Sequence, residues 1–106
     1  MSAKILLNET YAIEQSIATD WQSWMNEIYI PMALASGFVE RYIFSEVNNG
    51  VHEGAISFAL QFVLKDKPSL YAFEKDADRE LKSKRNQKFA GKYASFPTIL
   101  NIINQN

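Results

Sequence analysis

Apolar and polar positions alternate from Lys4 to Ile13, with Ile5, Leu7, Tyr11 and Ile13 on one face and Glu9 interrupting them. A period of two predicts a strand. Ser16 is placed to cap a helix in which Ile17, Trp21, Trp24, Met25 and Ile28 recur at spacings of three and four. Pro31 removes a backbone donor and disfavours helical geometry at Ile30, so a break is expected near Tyr29. Met32 to Ala35 adds one turn, and Gly37 supplies a left-handed stop. Phe38 to Val47 predicts a second strand, with Phe38, Tyr42 and Phe44 on one side, and Asn48 to Gly54 predicts a hairpin tip. Ala55 to Leu64 alternates most clearly: Ile56, Phe58, Leu60, Phe62 and Leu64 face one way, and Ala55, Ser57, Ala59, Gln61 and Val63 the other. Pro68 opens a second helix whose apolar stripe is Leu70, Phe73, Ala77 and Leu81. Tyr93 to Ile103 predicts a fourth strand containing Pro97.

Strand, helix, strand, strand, helix, strand is the split βαβ order, so the expected class is α+β, ferredoxin-like, with a four-stranded antiparallel sheet. Right-handed crossovers set the strand order 4-1-3-2. Pro97 agrees with this, since proline is tolerated on an edge strand and strand four lies at an edge. Two helices cover one face of such a sheet. The other face would carry alternating charge if it met water, yet the odd positions of strand three and residues 93–106 carry none. Neutral residues such as Ala55, Ser57, Ala59, Gln61, Ser95 and Asn101 are expected there, with Glu9, Glu40 and Arg41 as the few charges. A second copy of the chain is therefore expected to cover this face, reusing one patch on both subunits.

With 106 residues, 47% of them hydrophobic and 22% charged, the chain has material for one core and is read as one domain over residues 1–106. The absence of cysteine excludes disulfides, thiolate metal sites and cysteine nucleophiles, and the one histidine, His52, cannot form a multi-histidine metal site. No metal or cofactor is expected. A formal net charge of −1 argues against a nucleic-acid partner. No apolar run spans a membrane, and Met1 to Ala12 lacks the pattern of a signal peptide, so a cytoplasmic location is expected. Residues 1–64 hold seven acids and two bases, and residues 65–106 five acids and nine bases. Glu74, Asp76, Asp78 and Glu80 precede Lys82, Lys84, Arg85 and Lys88, which fits the helix dipole and a solvated face better than a phosphate-binding patch.

Three residues stand out as candidate ligand contacts. Tyr29 lies at the expected helix break, and its hydroxyl needs a partner if buried. Gln61 is an amide in an otherwise apolar strand and needs one too, across a dimer axis or on a ligand. Arg41 could hold a carboxylate, or pair with Glu9 or Glu40. Trp21, Trp24 and Met25 have the spacing of a core stripe, and His52 reads as a solvated loop residue. No catalytic motif is present.

Trp21-Gln-Ser-Trp24-Met25, Tyr29-Ile30-Pro31, Ser36-Gly37-Phe38, Gln61-Phe62 and the segment from Phe89 to Thr98 together resemble a family of small bacterial proteins known only as a domain of unknown function (DUF4286). The resemblance implies a dimeric α+β barrel and no assigned activity. Members often carry histidine before the Ile-Pro pair and an acid after it, where this chain has Tyr29 and Met32. Tyrosine, with a reference pKa near 10, is a poor substitute for imidazole as a base. The expected function is that of a homodimer binding a small apolar or aromatic molecule between sheet and helices. The alternatives are a cofactor-free or haem-dependent oxidative enzyme of the barrel type, by fold analogy, and a protein–protein interaction module.

Overall fold

The computed structural model describes residues 3–106. The chain runs β1 (Ile5–Glu14), α1 (Ala18–Trp24), α2 (Ile30–Ala35), β2 (Val39–His52), β3 (Ala55–Leu64), α3 (Lys67–Phe73), α4 (Arg79–Phe89) and β4 (Tyr93–Asn101). The strands form one antiparallel sheet in the order β2-β3-β1-β4, which is the expected ferredoxin-like order read from the other edge. Pro97 sits on β4, which pairs with β1 alone. Ile5, Tyr11 and Ile13 of β1 and Phe58, Leu60, Phe62 and Leu64 of β3 are buried beneath the helices, with Trp21, Met25, Leu70, Phe73 and Leu81 packed onto them. Among the described residues no helix is long and apolar enough to cross a membrane.

The first helical arm does not break at Tyr29. A π-helical turn, Met25–Tyr29, joins α1 to α2, and the Ile30 amide donates to the Met25 carbonyl five residues back. Pro31 falls in the first turn of α2, where the ladder changes register and a missing donor costs least. The second arm is built alike: a π turn, Glu74–Asp78, joins α3 to α4, and the Arg79 amide donates to the Glu74 carbonyl. Asp66 caps α3, its carboxylate accepting from the Ser69 amide at 2.9 Å. That bond holds the Asp66 carboxyl below its ordinary range. Gly37 has φ +83° and stops the first arm as expected.

Four expectations need correction. Ser16 caps no helix; its hydroxyl donates to Glu14 within a single 3-10 turn, Gln15–Ile17. β2 runs on to His52, because the Asn48-Asn49-Gly50 segment is taken up as a bulge between Glu46 and Val51, leaving only Glu53 and Gly54 as the tip. β4 ends at Asn101, and the chain then turns to let the Ile102 amide reach the Lys4 carbonyl. Ser95 pairs with Tyr11, Asn101 with Ile5 and Pro97 with Glu9, so Ser95, Asn101 and Glu9 all belong to the helical side. The open face is lined instead by Leu6, Asn8, Thr10 and Ala12 of β1, by the odd positions of β3, by Ala94, Phe96, Thr98 and Leu100 of β4, and by Arg41, Ile43 and Ser45 of β2.

Candidate functional site

The two π turns meet. A π turn adds one residue per turn, so positions five apart also fall on the buried side: Ile30 joins Tyr29 after Met25 in the first arm, and Asp78 follows Phe73 in the second. Tyr29 ends one π turn and Asp78 the other, and the Tyr29 hydroxyl donates to Asp78 Oδ1. Lys82 Nζ lies 3.1 Å from the second Asp78 oxygen. The expected need of Tyr29 for a hydrogen-bond partner is met by an acid that the sequence pattern assigns to a solvated face.

Behind this pair lies a second polar group on the helical side of the sheet. Arg85 of α4 is 4% exposed and Glu9 of β1 7%. Arg85 Nη1 donates to the Tyr11 hydroxyl at 2.8 Å and approaches Glu9 Oε2 at 3.4 Å, while Tyr11 donates to Glu9 Oε1 at 2.9 Å. Arg85 Nε donates to the Tyr93 hydroxyl at 2.9 Å, and Tyr93 donates to Asn86. The guanidinium carbon stands 5.4, 5.9 and 5.1 Å from the ring centres of Tyr11, Tyr29 and Tyr93. Burial pulls the Arg85 guanidinium down, but Tyr11, Glu9, Tyr29 and Tyr93 outweigh it and hold it above its ordinary range. Burial, then Glu9, pushes the Tyr11 phenol well up; burial, Tyr11 and Asp78 do the same to Tyr29. Both phenols are therefore neutral donors at physiological pH. They hold protons rather than release them. Among the described residues the Trp21 indole N–H is a fully buried donor without a partner.

Two depressions lie away from this network. A groove of about 310 Å³ runs between the end of α2 and the second π turn with the start of α4. Met32, Phe38, Ala77 and Leu81 line it, with Asp76 and Glu80 at its rim. A cleft of about 220 Å³ lies on the opposite, open side of the sheet and holds both Arg41 and Gln61. The structure thus brings two of the three sequence candidates together and puts Tyr29 across the sheet from them. Arg41 forms neither expected ion pair: its Nη2 donates to Gln105 Oε1 at 2.7 Å, Glu9 turns to Arg85, and Glu40 is held by Lys4. Trp21 and Met25 are core residues as expected, and His52 is exposed at the end of β2. Sequence reasoning missed Glu9, Asp78 and Arg85 as a buried set. One signal existed for Arg85, which extends the Ala77–Leu81 stripe by four.

Residues 4–103 match the family described as a domain of unknown function, DUF4286. The chain belongs to this family. No curated protein matches this DUF4286 chain. Solved structures share its fold at low identity. A conserved protein of unknown function from Bacteroides thetaiotaomicron superposes with a TM-score of 0.72 at 14% identity, covering 96% of this chain and 100% of that one. A dimeric ferredoxin-like protein from an uncultured marine organism gives 0.71 at 10%, covering 96% and 97%. A candidate antibiotic biosynthesis monooxygenase from Caulobacter crescentus gives 0.70 at 12%, covering 97% and 92%. At such identities the likeness is one of fold.

Proposed function

We propose that this DUF4286 protein is a homodimer, mated through its open sheet faces, in which each copy binds a small apolar molecule on the helical side. The observation that carries the dimer is the makeup of the face. In the four rows from Leu6 to Ala12, Arg41 is the single charged side chain, while Phe96, Ile43 and Leu100 are 61, 50 and 45% exposed. Strands about 4.8 Å apart, rising about 3.3 Å per residue, give this face roughly 500 Å² in projection. A neutral, partly apolar face of that extent suits one side of a small interface. The dimeric ferredoxin-like protein with the same fold supports the reading.

The groove at Met32, Phe38, Ala77 and Leu81 supports the ligand. Its apolar floor suits a hydrocarbon or aromatic body, and the carboxylates of Asp76 and Glu80 at the rim suit a hydroxyl or amine on it. Light scattering tests the dimer: the mass should be about 24 kDa, twice the chain's 12.1 kDa, and Ala59→Glu with Phe96→Asp should halve it without altering the circular dichroism. A wild-type mass near 12 kDa at tens of micromolar refutes the dimer. The dye Nile red tests the groove. Saturable binding that Ala35→Trp abolishes supports it, and binding unaffected by that variant refutes it.

A further inference from the structure

We infer that Arg41 and Gln61 form a site for a small organic carboxylate, an inference that rests on the sheet-to-sheet dimer. The cleft they share has Leu6, Val63 and Ile102 as its apolar floor and Ile43 as a wall. At about 220 Å³ it is smaller than the roughly 300 Å³ at which sites for drug-sized molecules begin, so it fits a body of one ring or a short alkyl chain. Arg41 offers a planar fork that takes a carboxylate through two parallel bonds, and the Gln61 amide offers a further donor.

Charge balance makes the case. Among the described residues Arg41 has no acidic partner: it bonds the neutral Gln105 side chain, and its neighbour Glu40 is held by Lys4. A two-fold dimer brings a second Arg41 to the same interface and no new kind of charge, because the patch repeats itself. The acid at a face position is Glu14, at the far end of β1 opposite Ala55, roughly 26 Å along the strand from the row of Arg41 at about 3.3 Å per residue. Covering two guanidinium groups without anions is costly. An anion in each cleft removes that cost, and the apolar floor selects an organic anion over an inorganic one.

The test uses sodium benzoate as probe and benzamide as its neutral isostere, with calorimetry for binding and sedimentation for the dimer. A bidentate charged contact is worth at least about tenfold in affinity, so benzoate should bind the wild type at least about tenfold more tightly than benzamide does. Arg41→Gln should lose that margin and still sediment as a folded protein. Because the anion binds the dimer in preference, benzoate should also tighten the wild-type dimer and leave the Arg41→Gln dimer unchanged. A wild-type monomer overturns the dimer and this site with it. A wild-type dimer that ignores benzoate overturns the site alone. So does a dimer loosened by Glu14→Gln as much as by Arg41→Gln, since the second copy's carboxylate would then be the anion.

Discussion

Replacing Arg85 by Met keeps most of the aliphatic stem and removes the charge. Three bonds go: to Tyr11 at 2.8 Å, to Tyr93 at 2.9 Å and the looser approach to Glu9 at 3.4 Å. The Arg85 and Glu9 side chains are 5 and 10% exposed, so water cannot replace what is lost. Glu9 keeps only the Tyr11 hydroxyl. Removing one member of a buried ion pair costs about 3–5 kcal/mol, a large share of the roughly 5–15 kcal/mol that holds a domain together. For a chain of this size the melting temperature should fall by about 12–20 °C. Urea unfolding followed by the fluorescence of Trp21 and Trp24 measures the loss, at one fixed concentration because a dimer's stability depends on it. The double variant Glu9→Gln, Arg85→Met separates pairing from packing. It should be more stable than the sum of the two single losses by about 1–3 kcal/mol. A loss below about 1 kcal/mol in Arg85→Met, smaller than the smallest penalty for an unpaired buried group, would show that the network is not held by its cation.

Tyr29→Phe leaves Asp78 with Lys82 alone and should cost about 1–3 kcal/mol by thermal melt; pairing it with Asp78→Leu should recover part of the loss, and no recovery refutes the direct bond. The Tyr11 and Tyr29 phenols are raised in the folded chain, so the fold retains protons that the unfolded chain gives up. Stability is then fully present below the ordinary tyrosine range and falls as pH rises through about 10 and beyond. Absorbance in the near ultraviolet should show part of the phenolate signal appearing only together with the loss of circular dichroism; complete titration with the fold intact refutes this. Gly37→Ala forces a side chain onto φ +83° and should cost about 1–2 kcal/mol, read as a lower melting temperature; an unchanged one means that the turn relaxes.

The sheet was legible where its strands keep a single alternation, and less so in β2, whose register shifts twice. Ala55–Leu64 has the same bounds in the structure as in the sequence pattern, and Pro97 marked its edge strand by chemistry alone. The open face was legible in kind and not in full: its neutrality shows in the odd positions of β3, but Ser95 and Asn101 change sides once the β1–β4 register is fixed. Register is a long-range property, and one residue of slip exchanges the faces. Glu9 illustrates this from the other side, an apparent fault in an apolar row that is the anionic half of a buried pair.

The helical arms were misread for a more local reason. The charge run around Asp78 suggested a solvated face, and the missing donor of Pro31 suggested a break near Tyr29; both readings fail at a π turn, which buries Asp78 and takes Pro31 into the first turn of α2. Tyr29 and Asp78, the last residues of the two π turns, meet there, while Arg85 follows Leu81 by four residues and lies under the sheet on the ordinary stripe of α4. β1 stands between this network and the open face: Glu9 and Tyr11 point to the helices, while Leu6, Asn8 and Thr10 line the other side. The network and the Arg41 cleft therefore have the sheet's thickness between them and share no hydrogen bond. Independent sites of this kind contribute additively, so Tyr29→Phe should lower stability and leave benzoate binding as it is, whereas Arg41→Gln should remove the preference for benzoate over benzamide at little cost to the fold.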